Sequence, residues 1–160
     1  MSVLVCGAGP TGLVTAIELV RRGIDVRIVD AASEPSQLSK AAVLWRRSLE
    51  VLHSSVPVER FTAHGRPVHG IQFEANGSVL QEIDFGTNTG RFPHGLFIPQ
   101  NKTEAALNEA LESLGIKVEW GTEVKEVSSC EEHVDVQFSD GEQSHLDWLV
   151  GADGAHSTVR

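Results

Sequence analysis

The sequence predicts an α/β fold: an open sheet of parallel strands, interrupted by an inserted β-hairpin and an antiparallel β-meander. Three observations carry this expectation. The first thirty residues run apolar strand, glycine-rich loop, amphipathic helix and second apolar strand, which is a β-α-β unit. Asn76-Gly77 lies between two strand-like runs and marks a hairpin, which has no place in a β-α-β series. A further helix near residue 101 returns to a strand, and three short strand-like runs follow it.

The elements can be justified in chain order. Residues 2–6 form a Val-rich apolar run closed by glycine, the pattern of a buried strand. Residues 10–22 read as a helix. Leu13, Ile17 and Val20 fall at spacings of four and three, with Ala16 on the same face. Arg21 and Arg22 suit the negative end of its dipole, and Gly23 suits the cap beyond. Residues 25–30 are the second strand. Residues 31–39 make a polar loop, and 40–53 a helix with Val43, Leu44, Leu49 and Leu52 as buried positions. Residues 54–67 contain two prolines and show no period. Runs 68–74 and 79–85 flank the Ala75-Asn76-Gly77-Ser78 turn, and 95–99 is a short strand. For the helix over 101–114, Asn101 is the expected cap, with Glu104 three residues later and a Leu107, Leu111, Leu114 stripe. Residues 116–120 follow as a strand. Runs 123–129, 133–138 and 143–146 make the meander, turning at Ser139-Asp140-Gly141. Residues 147–150 lead into Gly151-Ala152-Asp153-Gly154. Trp120 and Trp148 are expected in the core, and Cys6 as a small buried hydrophobe.

Composition narrows the function. At 160 residues the chain is long enough for one domain with a proper core. Acids outnumber bases 22 to 13 and the net charge is −9, which argues against a nucleic-acid binder. The two cysteines have no metal or disulfide spacing, and the seven histidines suggest no metal site. The apolar N-terminus lacks a basic leader and is broken by glycines and Pro10, so a signal peptide is not expected. No run approaches the roughly 18 apolar residues of a membrane span. A cytoplasmic protein is the expectation.

Gly7-Ala8-Gly9-Pro10-Thr11-Gly12 carries the chemistry. It follows a strand and opens a helix, as a dinucleotide fingerprint must. Gly7 permits the tight turn, Gly9 lets the backbone approach a pyrophosphate, and Gly12 lets helix and strand pack closely. The helix N-terminus offers free N–H groups and positive potential. Asp30 closes the second strand, where a carboxylate accepts from ribose hydroxyls and repels a 2′-phosphate. The loop alone leaves NAD and FAD open.

Four further stretches stand out: the Pro10-Thr11-Gly12-Leu13 ending of the loop, Gly151-Ala152-Asp153-Gly154 with Ser157 and Arg160, Arg47-Ser48-Leu49-Glu50, and Phe97-Ile98-Pro99-Gln100. Together they resemble the class A flavoprotein monooxygenases, the family of p-hydroxybenzoate hydroxylase and related aromatic hydroxylases. The resemblance covers nearly the whole chain. It implies a Rossmann-like, glutathione-reductase-like FAD-binding sheet, C-terminally truncated, with 1–160 as the N-terminal portion. Residues 68–99 then reach toward a substrate domain. It implies FAD contacts at Gly7, Ala8, Gly9, Pro10, Thr11, Gly12, Asp30, Lys40, Arg47, Gln100, Asp153 and Gly154. Lys40 stands where the family has an arginine, keeping the charge without the bidentate fork, and Val43 replaces a common glycine.

The implied activity is NAD(P)H-dependent hydroxylation of an aromatic or polyketide-like small molecule by oxygen, through a flavin hydroperoxide. In that chemistry the protein binds, orients and excludes water, and no side chain is singled out as acid, base or nucleophile. Two alternatives stay open: a FAD oxidoreductase of the same fold that does not hydroxylate, and a non-catalytic FAD-binding remnant.

Overall fold

The structure is a computed structural model that describes residues 1–37, 43–85 and 91–159. Its elements run β1 (Ser2–Cys6), α1 (Pro10–Val20), β2 (Asp25–Asp30), β3 (Val43–Leu44), α2 (Arg46–Leu52), α3 (Glu59–Thr62), β4 (Arg66–Val68), β5 (Gly70–Ala75), β6 (Ser78–Asp84), β7 (Gly95–Phe97), α4 (Gln100–Ser113), β8 (Glu119–Trp120), β9 (Val124–Ser129), β10 (Val134–Phe138), β11 (Gln143–Leu146) and β12 (Trp148–Gly151). They divide into two compact units: Met1–Leu38 with Thr103–Arg160, and Ser39–Lys102.

In the first unit a four-stranded sheet has the order β12-β1-β2-β8 and is parallel throughout. Side chains alternate across it. Leu4 and Cys6 of β1 and Val29 of β2 pack against Val124, Val136 and Phe138 of the meander. Val3, Val5 and Ile28 turn to the opposite face and are equally buried, which is the face left for the β1–β2 crossover helix. That helix, α1, buries Leu13, Ala16 and Ile17. Burial of this kind contributes roughly 25 cal/mol per Å² of apolar surface. It is why β1, apolar on both faces, sits mid-sheet.

Arg27 ties the sheet to the meander. It faces the meander side because its register partner is Leu4. Its Nε and Nη2 donate to the two Glu119 oxygens at 2.8 and 2.7 Å, and Nη1 donates to Glu142 at 2.8 Å and to Ser144 at 3.0 Å. The guanidinium lies 4.7 Å from the Phe138 ring centroid. The Glu119 hydrogen bonds raise its pKa further above the usual arginine range, against the cost of burial.

In the second unit β7 lies between β3 and β4, antiparallel to both. The β5–β6 hairpin stands as a separate ribbon. Asn76 and Gly77 have φ of 51° and 75°, the two left-handed positions of a type I′ turn.

Several expectations need correction. Of the helix expected over 40–53, residues 40–42 lie outside the described residues; Val43 and Leu44 pair with Phe97 and Leu96 as a strand, and the helix runs Arg46–Leu52. Strand pairing of a β-branched residue overrides helix periodicity here. Residues 54–67 include a helical turn and a strand. The last helix starts at Gln100, so Asn101 lies inside its first turn and is not the cap, with its Oδ1 buried and unpartnered. Only Glu119 and Trp120 of the run 116–120 pair with β2. Trp148 is 62% exposed because β12 forms a sheet edge. Helix α1 stops at Val20, leaving Arg21 as its C-cap.

Candidate functional site

The crevice lies at the carboxyl ends of β1 and β12. From β1 the chain passes by α1 to β2 on one side, while β12 pairs with β1 on the other. This reversal is a topological switch point, where ligands bind in open α/β sheets. Cys6 is in register with Gly151, so the loops leaving both strands emerge side by side. Ala152 N–H donates to Cys6 O at 2.7 Å, and Gly7 N–H donates to Val29 O at 2.8 Å. A cleft of about 570 Å³ opens between Thr11 and residues of the β12 loop, including Asp153, Gly154 and Ser157. Two motifs roughly 140 residues apart thus face one space.

The three loop glycines separate by role. Gly7 has φ +104°, and a β-carbon on it would lie 2.4 Å from Ala152 O. A β-carbon on Gly12 would lie 1.8 Å from Gly7 O. Both are required by the chain's own backbone. Gly9 has φ −70° and ψ 180°, open to any residue, and a β-carbon there would meet nothing within 4 Å. The fold does not need glycine at 9; a group approaching from outside would. Pro10 opens α1 without an N–H, and Leu13 N–H already bonds to Gly9 O. The N–H groups of Thr11 and Gly12 have no acceptor within the helix and sit at its positive end.

Asp30 closes β2 with its carboxylate turned to the loop. Oδ2 accepts from Ala8 N–H at 2.7 Å, and Oδ1 from Ala32 N–H at 2.8 Å. Each oxygen keeps a further lone-pair site. Across the crevice Asp153 Oδ1 accepts from Ser157 Oγ at 2.6 Å, and Oδ2 accepts from the N–H of Thr158 at 2.7 Å and of Val159 at 3.2 Å. Burial works against its charge, but these hydrogen bonds prevail and hold the carboxyl below its usual range. Between the two acids lies Cys6, whose thiol burial pushes up to about 12, with the Asp153 and Asp30 charges adding to the effect.

Gly7, Ala8, Gly9, Pro10, Thr11, Gly12, Asp30, Asp153 and Gly154 therefore all belong to the first unit, with the glycine loop and the β12 loop set side by side. Arg47 and Gln100 belong to the second. Arg47 is 83% exposed on α2 and pairs with Glu50 at 3.1 Å. It borders a cleft with Trp45 and Phe85, whose rings meet edge to face at 5.5 Å. Gln100 is the first residue of α4. Lys40 lies outside the described residues, as does Arg160. Sequence reading passed over Ala152, whose carbonyl forces glycine at 7. The histidine spacing, read as suggesting no metal site, also hides a cluster on the meander formed by His133, Asp135 and His145. The signal for that cluster was available, because a hairpin turning at Asp140 sets Asp135 opposite His145.

Fold and crevice define a dinucleotide-binding domain of the α/β class. The family model described as FAD binding domain matches residues 1–160. The chain belongs to this FAD-binding family of class A flavoprotein monooxygenases. It is 41% identical over 165 residues to 6-methylpretetramide 4-monooxygenase of Streptomyces rimosus, covering 99% of this chain and 29% of that protein. Among solved structures, an anhydrotetracycline hydroxylase from Streptomyces rimosus superposes with a TM-score of 0.85 at 33% identity, covering 100% of this chain and 33% of that one. A Diels-Alderase of pyrroindomycin biosynthesis matches with a TM-score of 0.85 at 27% identity, covering 99% and 33%. The chain spans roughly three tenths of the length of the curated relatives it matches.

Proposed function

We propose that this chain is the FAD-binding portion of an NAD(P)H-dependent monooxygenase that hydroxylates an aromatic or polyketide-like small molecule with oxygen. The observation that carries the reading is the free space at Gly9, beside a helix N-terminus and at a strand switch point. A β-carbon there obstructs nothing in the protein, so the cradle suits a group from outside. In this reading the Thr11 and Gly12 N–H groups receive the pyrophosphate. Asp30 accepts from a ribose hydroxyl with the lone pairs that Ala8 and Ala32 leave free. Asp153 and Gly154 shape the opposite wall, and Lys40, Arg47 and Gln100 complete the cofactor contacts. When bound, the flavin supplies the redox chemistry with oxygen. The residues here bind and orient it, with the Asp30 and Asp153 carboxylates on either side of Cys6.

We read the parallel sheet as the Rossmann-like part of a glutathione-reductase-like FAD domain. In a longer protein of the family, residues 68–99 would reach toward a substrate domain. The hydroxylase names among the relatives support the substrate class. The test is oxygen uptake coupled to NAD(P)H oxidation in the longer protein, with phenolic or polyketide aromatics. Stoichiometric uptake of oxygen into product is expected, and a purified protein without bound flavin would refute the reading. The relative named as a Diels-Alderase favours one alternative, a FAD protein of this fold that does not hydroxylate. Turnover that continues without oxygen would select it.

A further inference from the structure

The meander carries a cluster remote from the crevice loops in sequence. Asp135 on β10 and His145 on β11 are direct cross-strand partners. His133 precedes Asp135 by two residues and shares its face. His145 Nδ1 lies 2.8 Å from Asp135 Oδ1, and His133 Nε2 lies 3.3 Å from Asp135 Oδ2. The two imidazole rings are 4.0 Å apart at their centroids. One ligand atom from each of the three residues lies within 4.8 Å of the others.

From this geometry we propose a binding site for a divalent transition-metal ion of the Zn²⁺ class, with His133, Asp135 and His145 as its ligands. Two imidazoles and one carboxylate are a donor set such ions prefer over Mg²⁺ or Ca²⁺. With Zn–N and Zn–O bonds near 2.0–2.1 Å, tetrahedral ligands sit about 3.3 Å apart. The contacts to Asp135 at 2.8 and 3.3 Å are already close to that spacing. Cys130 Sγ lies 3.2 Å from His133 Nδ1 and 3.7 Å from its Nε2, while Nε2 is also the nitrogen beside Asp135. The thiol therefore contacts a proposed ligand from outside the set of three, as a neighbour that helps orient the ring.

The three ligands join β10 to β11, and Cys130 adds the turn that follows β9. The ion would therefore staple the meander, in addition to the tie Arg27 makes to the sheet. This role is independent of the flavin reading.

The test is a Zn²⁺ titration of the full chain after dialysis against a chelator, read by calorimetry. One Zn²⁺ per chain is expected. His133→Ala, Asp135→Asn and His145→Ala should each weaken binding tenfold or more, and Glu112→Gln on α4 should not change it. Cys130→Ser should keep the one-to-one stoichiometry with weaker binding. Zn²⁺ should raise the unfolding midpoint of the wild type but not of His145→Gln, a variant that keeps side-chain bulk. Circular dichroism would verify that each variant is folded. FAD affinity should be the same with and without Zn²⁺. Substoichiometric uptake, or ligand variants that bind Zn²⁺ like the wild type, would overturn the proposal. Loss of all binding in Cys130→Ser would overturn the three-ligand assignment.

Discussion

The N–H of Ala8 donates to Oδ2 of Asp30 at 2.7 Å, across 22 residues of chain. The acid that ends β2 thus fixes the shape of the loop that ends β1. Asp30→Ala removes the acceptor for both Ala8 and Ala32. A loss of about 1–3 kcal/mol of stability is expected, since a partly buried N–H loses its partner. FAD affinity should fall at least tenfold. Urea unfolding followed by circular dichroism and a flavin titration check the two effects separately.

Gly7 and Gly12 answer to the backbone. Gly7→Ala places a β-carbon 2.4 Å from Ala152 O at a left-handed φ, and Gly12→Ala places one 1.8 Å from Gly7 O. Each should cost about 3 kcal/mol or more, or prevent folding altogether. Thermal unfolding midpoints of the two variants measure this.

Arg27 is a structural anchor. Arg27→Ala leaves Glu119 and Glu142 without their shared partner and uncovers one side of Phe138. A loss of about 2–3 kcal/mol is expected in urea unfolding, with FAD affinity unchanged.

Cys6 makes stability depend on alkaline pH. Its thiol pKa is about 12 in the fold, against about 8.5 in an unfolded chain. Between those values the unfolded state loses the proton and the folded state keeps it. The contribution is therefore fully present below about pH 8.5 and is lost as pH rises toward 12, at up to about 1.4 kcal/mol per pH unit. Cys6→Ala should remove this part of the slope. At pH 8 iodoacetamide should label the exposed Cys130 and spare the buried Cys6.

Strand β1, helix α1, strand β2 and the hairpin turn were legible because their periodicity and their glycines are local signals. Helix α2 was legible in type, with Leu49 and Leu52 buried, but strand β3 before it was not, because Val43 and Leu44 take their conformation from pairing with β7, far along the chain. The exposure of Trp148 follows from strand order, which no local pattern encodes. In the site, the glycine loop and Asp30 were readable as a spaced motif. That Ala152 forces glycine at 7 depends on β12 lying beside β1. Register was the missing information in each case.

In the proposed FAD site, Gly9 is glycine for the sake of the bound dinucleotide, since the protein's own backbone does not require it. The most direct measurement is FAD affinity and unfolding midpoint in Gly9→Val, compared with the wild type. A β-carbon at 9 meets nothing within 4 Å in the free protein, so the midpoint should stay within the shift expected for about 1 kcal/mol. FAD binding, read from flavin fluorescence, should weaken a hundredfold or more. A folded Gly9→Val variant that binds FAD as the wild type does would rule out this role for Gly9.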